Sequence, residues 1–286
     1  MAQVAAGASP GQRLAHPTAA ALACVPGLEG GQKPRLVAPL EGGTVNQLWR
    51  VDSGTGRFVL RIDGPQARRP GVDRGREFLL HAQAARAGVA PAIIAGDANS
   101  GIMISEYIDG RRWEASDCLD RSALHRLGER LAHLHQLTAR TASFEPLRIA
   151  EAYVSVAPAL DEPLAAAVAG LVSAVAAAQE RFAEDAAGRV IIHGDLNHLN
   201  LIDAERLWLI DWEYAQVADP LFDLGCLLAY YPGAQAQADE LLAASGLGAR
   251  AQRGRLVIAT FLYQALSWLW HVARAEPPPG ALPRLD

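Results

Sequence analysis

Apolar and polar positions alternate over short distances in the first third of the chain, and a longer period takes over afterwards. Residues 35–40, Gln47–Asp52 and Arg57–Ile62 are short runs with β-branched and aromatic residues, and they predict three strands. The turn-forming pieces 41–43 and 53–56 separate them. Residues 73–87 predict a helix, with Phe78, Leu79, Ala82 and Ala85 on one face and Gly88 and Pro91 just past its end. Two more strands are predicted at 92–95 and 102–107, with a turn at 97–101.

From Ser116 onward the period is helical. Leu124, Leu127, Leu131 and Leu134 recur at helical spacing within 119–137, and 163–187 is an Ala-rich helix candidate. Short strands and tight loops return between Val190 and Trp212. Helices resume from Pro220 to Glu276, broken near Pro232 and at 246–248. The stretch 256–272 is long and apolar, but Thr260, Gln264, Ser267 and two tryptophans interrupt it. It sits at the short end of spanning length and reads as a buried helix, not a membrane span. A mostly β first third and a mostly α remainder predict an α+β protein of two lobes, 1–107 and 108–286, joined through 108–112. Residues 1–33 form an N-terminal extension to which the pattern assigns nothing.

Composition narrows the function. A net charge of -5 over 286 residues argues against a nucleic-acid partner, which would call for a basic face. The three cysteines, Cys24, Cys118 and Cys226, are scattered without a CxxC pair, which suits a reducing cytoplasm better than a disulfide framework or a zinc site. Lys33 is the only lysine. Any cationic step must therefore use Lys33 or an arginine.

The densest chemistry lies in 190–212, VIIHGDLNHLNLIDAERLWLIDW. A short apolar strand ends at His193-Gly194-Asp195. Asn200 follows Asp195 in the spacing Asp-x-x-x-x-Asn, and a hairpin of 199–202 and 207–210 delivers Asp211. A carboxylate that orients an attacking hydroxyl, with an amide and a second acid as oxygen ligands for Mg²⁺, is the set that phosphoryl transfer needs. A single Asp or Asn at a strand end is more often a turn residue. The three together at this spacing point to chemistry.

HGDLNHLN followed by LIDWEYAQVADPLFDLG resembles the aminoglycoside phosphotransferase/choline kinase superfamily, which shares a protein-kinase-like fold of a small mostly-β N-lobe and a larger mostly-α C-lobe. The resemblance covers about Pro34 to Trp270 and is strong in 190–225. It implies ATP and Mg²⁺ as cofactors, Asp195 as the catalytic base, and Asn200 and Asp211 as the metal ligands. His193 would buttress the loop, and Asp223 would hold the loop backbone from the start of the next helix. Asp219 would cap that helix ahead of Pro220. A protein substrate is disfavoured, because Trp-Glu-Tyr-Ala follows the metal Asp and leaves little room for an activation segment.

The first lobe should clamp the nucleotide. Gly42, Gly43, Thr44 and Asn46 lie between two predicted strands, where backbone amides can approach phosphates. Arg61, in FVLRID, stands where kinase-like folds place the phosphate-contacting lysine, and an arginine adds a forked contact. Apart from Asp73 at its start, Glu77 is the only carboxylate on the following helix, and so the expected partner of Arg61. Glu106 and Ile108 fall at the hinge, where backbone groups would bind adenine.

The acceptor is read from the same resemblance. IDWEYA and EYIDG look most like choline/ethanolamine and thiamine kinases, whose substrates carry a cation and call for carboxylates and aromatic faces. Asp109, Glu213, Tyr230 and Trp270 are the candidates, with Tyr231 and Trp268 beside them; an aromatic stripe on a late helix reads equally well as core. The expected reaction transfers the γ-phosphoryl group to a small cationic alcohol, choline or ethanolamine ahead of thiamine, with aminoglycosides as a further class. A kinase-like nucleotide-binding protein without turnover is the alternative of another kind.

Overall fold

The computed structural model describes residues 16–40, 45–65, 67, 69–183 and 188–285. The chain divides into two compact units, Met1–Gly110 and Arg111–Asp286.

The first unit is built on a five-stranded antiparallel sheet. A short helix α1 (Ala19–Ala23) precedes β1 (Leu36–Pro39), β2 (Gln47–Asp52) and β3 (Arg57–Ile62); helix α2 (Arg74–Arg86), β4 (Ile93–Asp97) and β5 (Ile102–Glu106) follow. The strand order is β1-β2-β3-β5-β4. On β2 and β3 the side chains alternate, and Trp49, Val51, Phe58 and Leu60 point inward with Ile104. Ala21, Val25 and Leu28 close that core, so part of the extension before Lys33 serves as packing for the sheet.

Helix α2 spans almost the predicted range, with Asp73 capping it through the Arg76 N–H. Its buried face differs from the predicted one. Arg74, Glu77, Leu80, His81 and Ala84 face inward, while Leu79 is exposed. The rotation is set by polar contacts: the Glu77 carboxylate meets two arginines, and His81 shares a hydrogen bond of 2.9 Å with the Pro91 carbonyl. An apolar pattern cannot reveal a helix whose inward face carries charge.

The second unit opens with β6 (Arg111–Arg112), then α3 (Arg121–Leu134), α4 (Pro146–Val156), α5 (Glu162–Ala183), β7 (Val190–Ile192), β8 (Leu201–Asp203), β9 (Leu207–Leu209) and β10 (Gln216–Ala218). Helices α6 (Leu221–Tyr230), α7 (Ala238–Ala244) and α8 (Ala249–Ala273) complete it. The leucines 124, 127, 131 and 134 of α3 are buried as their spacing predicts. Helix α4 and strands β6 and β10 were not foreseen; the strands are too short to show a period of their own. β10 pairs antiparallel with β7, and β8 with β9 and β6.

Helix α6 is buried from Leu221 to Leu228 and packs on α8. Gly225 makes that approach possible, because a Cβ there would lie 2.7 Å from the Ala259 carbonyl carbon. Among the described residues two helices, α5 over Glu162–Phe182 and α8 over Gln252–Ala273, are long and apolar enough to cross a membrane. Much of α8 is enclosed by α4, α5, α6 and α7, as a core helix would be.

Candidate active site

Strand β7 ends where His193-Gly194-Asp195 turns the chain. Gly194 takes φ +77°, and a Cβ there would sit 2.4 Å from the Tyr214 carbonyl oxygen, so no other residue fits. The turn is held from below by Asp223, in the first turn of α6. Its Oδ2 accepts the His193 N–H at 3.0 Å and its Oδ1 the Gly194 N–H at 2.8 Å, while His135 Nε2 lies 3.0 Å from Oδ2. Asp219 accepts the Leu221 N–H at 2.9 Å and pairs with buried Arg255 at 2.6 Å.

His193 is fully buried and links the two acid-bearing segments. Its Nε2 donates to the Ile210 carbonyl at 2.8 Å, and its Nδ1 accepts the Asp195 N–H at 3.3 Å. The ring packs edge-on against Trp212, with centroids 4.9 Å apart. The imidazole therefore ties the backbone of Asp195 to the peptide that leads into Asp211. A second tie is the Ile210 N–H, which donates to the Asn200 carbonyl at 3.0 Å. Asp211 has φ 62°, in the left-handed region. Strain of this kind at a non-glycine residue is held in place by its surroundings and gathers at functional sites.

Asp195 is the focus of the cluster. Asn200 Nδ2 donates to its Oδ2 and to its carbonyl oxygen, both at 2.9 Å, and Asn197 Nδ2 reaches Oδ2 at 3.2 Å. Its Oδ1 accepts from the hydroxyls of Tyr230, 2.9 Å away, and Tyr263, 3.1 Å away. Because the Asn200 nitrogen is committed to Asp195, its Oδ1 is the atom left to ligate a cation. Among the described residues no three His, Cys, Asp or Glu side chains gather as a metal cluster. Mg²⁺ needs less, since it takes few protein oxygens and keeps waters and phosphate oxygens. One amide oxygen and one carboxylate, Asn200 and Asp211, fit that requirement.

The remaining predicted residues fall on both units. Glu213 is buried. Trp270 donates to the Tyr214 hydroxyl at 2.9 Å and carries the Arg274 guanidinium 4.5 Å from its ring centre; Trp268 is buried. Tyr231 accepts the His198 N–H at 2.9 Å and hydrogen-bonds His198 Nδ1 at 2.6 Å. Burial, with the Arg112 charge, holds the His198 imidazole below its ordinary pKa.

In the first unit Arg61, on β3, faces Glu77 in a bidentate pair, Nη1 to Oε1 and Nη2 to Oε2 at 3.1 Å. Arg74 joins from the start of α2. It reaches Glu77 Oε2 at 2.7 Å, Asp63 Oδ2 at 3.0 Å and Asn46 Oδ1 at 2.9 Å. Burial alone would raise the Glu77 carboxyl. The charge and hydrogen bonds of Arg61, then of Arg74, outweigh it and leave the pKa below the ordinary glutamate value. Asn46 thus lies beside the ion cluster. Gly42, Gly43 and Thr44 lie outside the described residues. The Glu106 N–H donates to the Ala92 carbonyl, and Asp109 pairs with Arg57 at 2.6 Å on an exposed surface. Ile108 follows Tyr107, whose N–H donates to the Arg57 carbonyl.

Sequence reasoning missed Arg74, Asp63, Asn197, His135 and Tyr263. Tyr263 carried a usable signal: it lies seven residues before Trp270 on α8, on the same helix face. Asn197 and Arg74 also have partners close by, Asp195 and Glu77, but Asp63 and His135 had no such signal, since their partners are distant in sequence.

The model of the phosphotransferase enzyme family matches residues 37–256. The chain belongs to this family. It is 29% identical over 215 residues to Protein LicA of Haemophilus influenzae, a match covering 70% of this chain and 60% of that protein's length. Among solved structures it is similar to a choline/ethanolamine kinase family protein from Mesorhizobium loti. That match has 29% identity and a TM-score of 0.73, over 90% of this chain and 85% of the other. The choline kinase LicA from Streptococcus pneumoniae shares the fold at a TM-score of 0.72 and 21% identity, over 84% of this chain and 85% of the other. The phosphotransferase family and its kinase-like α+β fold are those that the motifs in 190–225 led us to expect.

Proposed function

We propose that this phosphotransferase moves the γ-phosphoryl group of ATP to the hydroxyl of a small cationic alcohol. The observation that carries the reading is the Asp195 carboxylate, tied through Asn200 and His193 to the segment that presents Asp211 in a left-handed conformation. Asp195 orients the acceptor hydroxyl and takes its proton. The acceptor oxygen then bonds to the γ-phosphorus, the phosphorus–oxygen bond to the β-phosphate breaks, and that electron pair leaves with ADP. Asn200 Oδ1 and the Asp211 carboxylate would hold Mg²⁺, which when bound neutralises charge on the phosphates. Arg61, oriented by Glu77, serves the nucleotide phosphates, and Glu106–Ile108 the adenine edge.

For the acceptor, choline or ethanolamine comes first, thiamine second and aminoglycosides third. The Mesorhizobium loti relative, a choline/ethanolamine kinase family protein at 29% identity, supports the first place in that order. Glu213, Asp109, Tyr230 and Trp270 remain the proposed contacts to the substrate cation. Release of ADP from MgATP should be measured against choline, ethanolamine, thiamine and several aminoglycosides. One small cationic alcohol should react, and the rate should vanish in Asp195→Ala. Nucleotide binding without turnover on any acceptor would favour a kinase-like binding protein. Absence of both would overturn the reading.

A further inference from the structure

Resting on Asp195 as the base, we propose that Tyr230 and Tyr263 hold the place of the acceptor hydroxyl on Asp195 and keep water from occupying it. An ionised carboxylate offers about four acceptor positions. At Asp195 all are filled: Oδ2 by the amides of Asn200 and Asn197, Oδ1 by the two tyrosine hydroxyls.

The two oxygens are held in different ways. The asparagines belong to the same loop as Asp195, and the Asn200 amide also donates to the Asp195 carbonyl. Those contacts are part of the loop's own geometry. The tyrosines arrive from the end of α6 and the middle of α8, with their ring centres 5.5 Å apart. Each presents an O–H to a carboxylate oxygen, the same contact that an acceptor alcohol must make. Burial pushes both phenols well above the ordinary tyrosine value, and Cys226 beside them is pushed up too. All three stay protonated near neutral pH, so the tyrosines act as donors.

An alcohol must therefore displace one tyrosine hydroxyl to reach the base. A substrate bound through the rest of its structure can offset that lost hydrogen bond. Water has no such binding energy to draw on. When water does react, its oxygen bonds to the γ-phosphorus, the bond to the β-phosphate breaks with its electron pair leaving on ADP, and protons pass to Asp195 and solvent. The products are ADP and inorganic phosphate. The tyrosine pair is then a positioning device that sets the ratio of transfer to hydrolysis.

The test measures ADP release by the full chain with MgATP, with and without the reacting alcohol from the panel above. Tyr230→Phe, Tyr263→Phe and the double variant keep the rings and lose the hydroxyls. Acceptor-independent release should rise roughly tenfold relative to acceptor-dependent turnover in at least one of them. Adding Asp195→Asn should abolish the rise. If no alcohol on the panel reacts, the acceptor-independent rate alone must rise in the same way. A packing defect would lower both rates and leave their ratio where it was, and an unmoved ratio in all three variants overturns the proposal alone. A wild-type chain with no MgATP turnover under any condition overturns the phosphotransfer reading, and the proposal with it.

Discussion

Two enclosed carboxylates, Asp223 in the second unit and Glu77 in the first, are satisfied by opposite means. Asp223 accepts two backbone N–H groups from the His193–Asp195 turn and stands against His135. Glu77 faces two guanidiniums, from Arg61 on β3 and Arg74 on its own helix. Neutral amides pin a piece of backbone in place without adding charge. Guanidiniums supply charge, and they are costly to strand once their partner is gone. The His193–Asp195 turn is thus fixed by geometry, and the arginine cluster by charge balance.

The sharpest way to break that comparison is at the residue the fixed turn presents. Asp195→Asn keeps the shape and the donors around it but removes the proton acceptor. Turnover should fall about 10³-fold, while MgATP binding measured by calorimetry stays near wild type. A variant retaining more than about a tenth of wild-type kcat would take Asp195 out of the chemistry, since removal of a base costs at least about 10²-fold.

Glu77→Gln probes the charge-held region. The amide fills the same space, yet it removes one of the two carboxylates that face Arg61 and Arg74 and leaves both buried guanidiniums to Asp63. The loss of stability should be about 3 kcal/mol by urea unfolding at pH 7. The pH dependence has a definite direction. The folded-state pKa of Glu77 is depressed, so its contribution is complete above the unfolded carboxyl value of about 4.3 and disappears as pH falls through the folded value. Wild type and Glu77→Gln should therefore converge in stability under acid conditions. A gap that persists unchanged to the lowest pH at which both fold would mean that Glu77 acts through shape and not through charge.

Asp223→Asn is the matching test of the geometry-held turn. The amide retains one oxygen acceptor, but its nitrogen must face the N–H of His193 or Gly194. One buried backbone donor loses its partner, at a cost of about 2 kcal/mol in stability. The loss is read by urea unfolding at pH 7, and a variant as stable as wild type would mean that Asp223 does not hold the turn.

The same contrast explains what the sequence could reveal. Asp195, Asn200, Asp211 and Asp223 lie within one stretch of the chain, because a turn held by its own backbone needs its parts close together. The spacing pointed to Asp195, Asn200 and Asp211, the family resemblance added Asp223, and strands such as Gln47–Asp52 and Arg57–Ile62 followed from alternation. The Arg61–Glu77 pair could be inferred because few carboxylates were available. Arg74 and Asp63 could not, and Asn46, singled out for the nucleotide, could not be placed beside them, since only the packing of α2 against the sheet assembles the three. The predicted apolar face of α2 failed for the same reason. The spacing of Tyr263 to Trp270 could have marked its helix face, but its contact to Asp195, 68 positions away, comes only from packing.

Tyr231→Phe should have the smallest effect and sharpens the comparison at its edge. Its hydroxyl accepts the His198 N–H and hydrogen-bonds His198 Nδ1, so one group anchors the middle of the loop that runs from Asp195 to Asn200. Removing it leaves both His198 groups to seek water. That is open to them, because the pair is only partly buried, and the cost should be about 1 kcal/mol. The loop ends are held independently by Asp223 and by the Ile210–Asn200 hydrogen bond. kcat should therefore fall less than about threefold, in line with a loss of that size shared between stability and loop order. Amide hydrogen exchange at His198 should quicken while exchange at Gly194 does not. If Gly194 quickens as well, the loop moves as a single body, and Asp223 does not fix the turn independently of it.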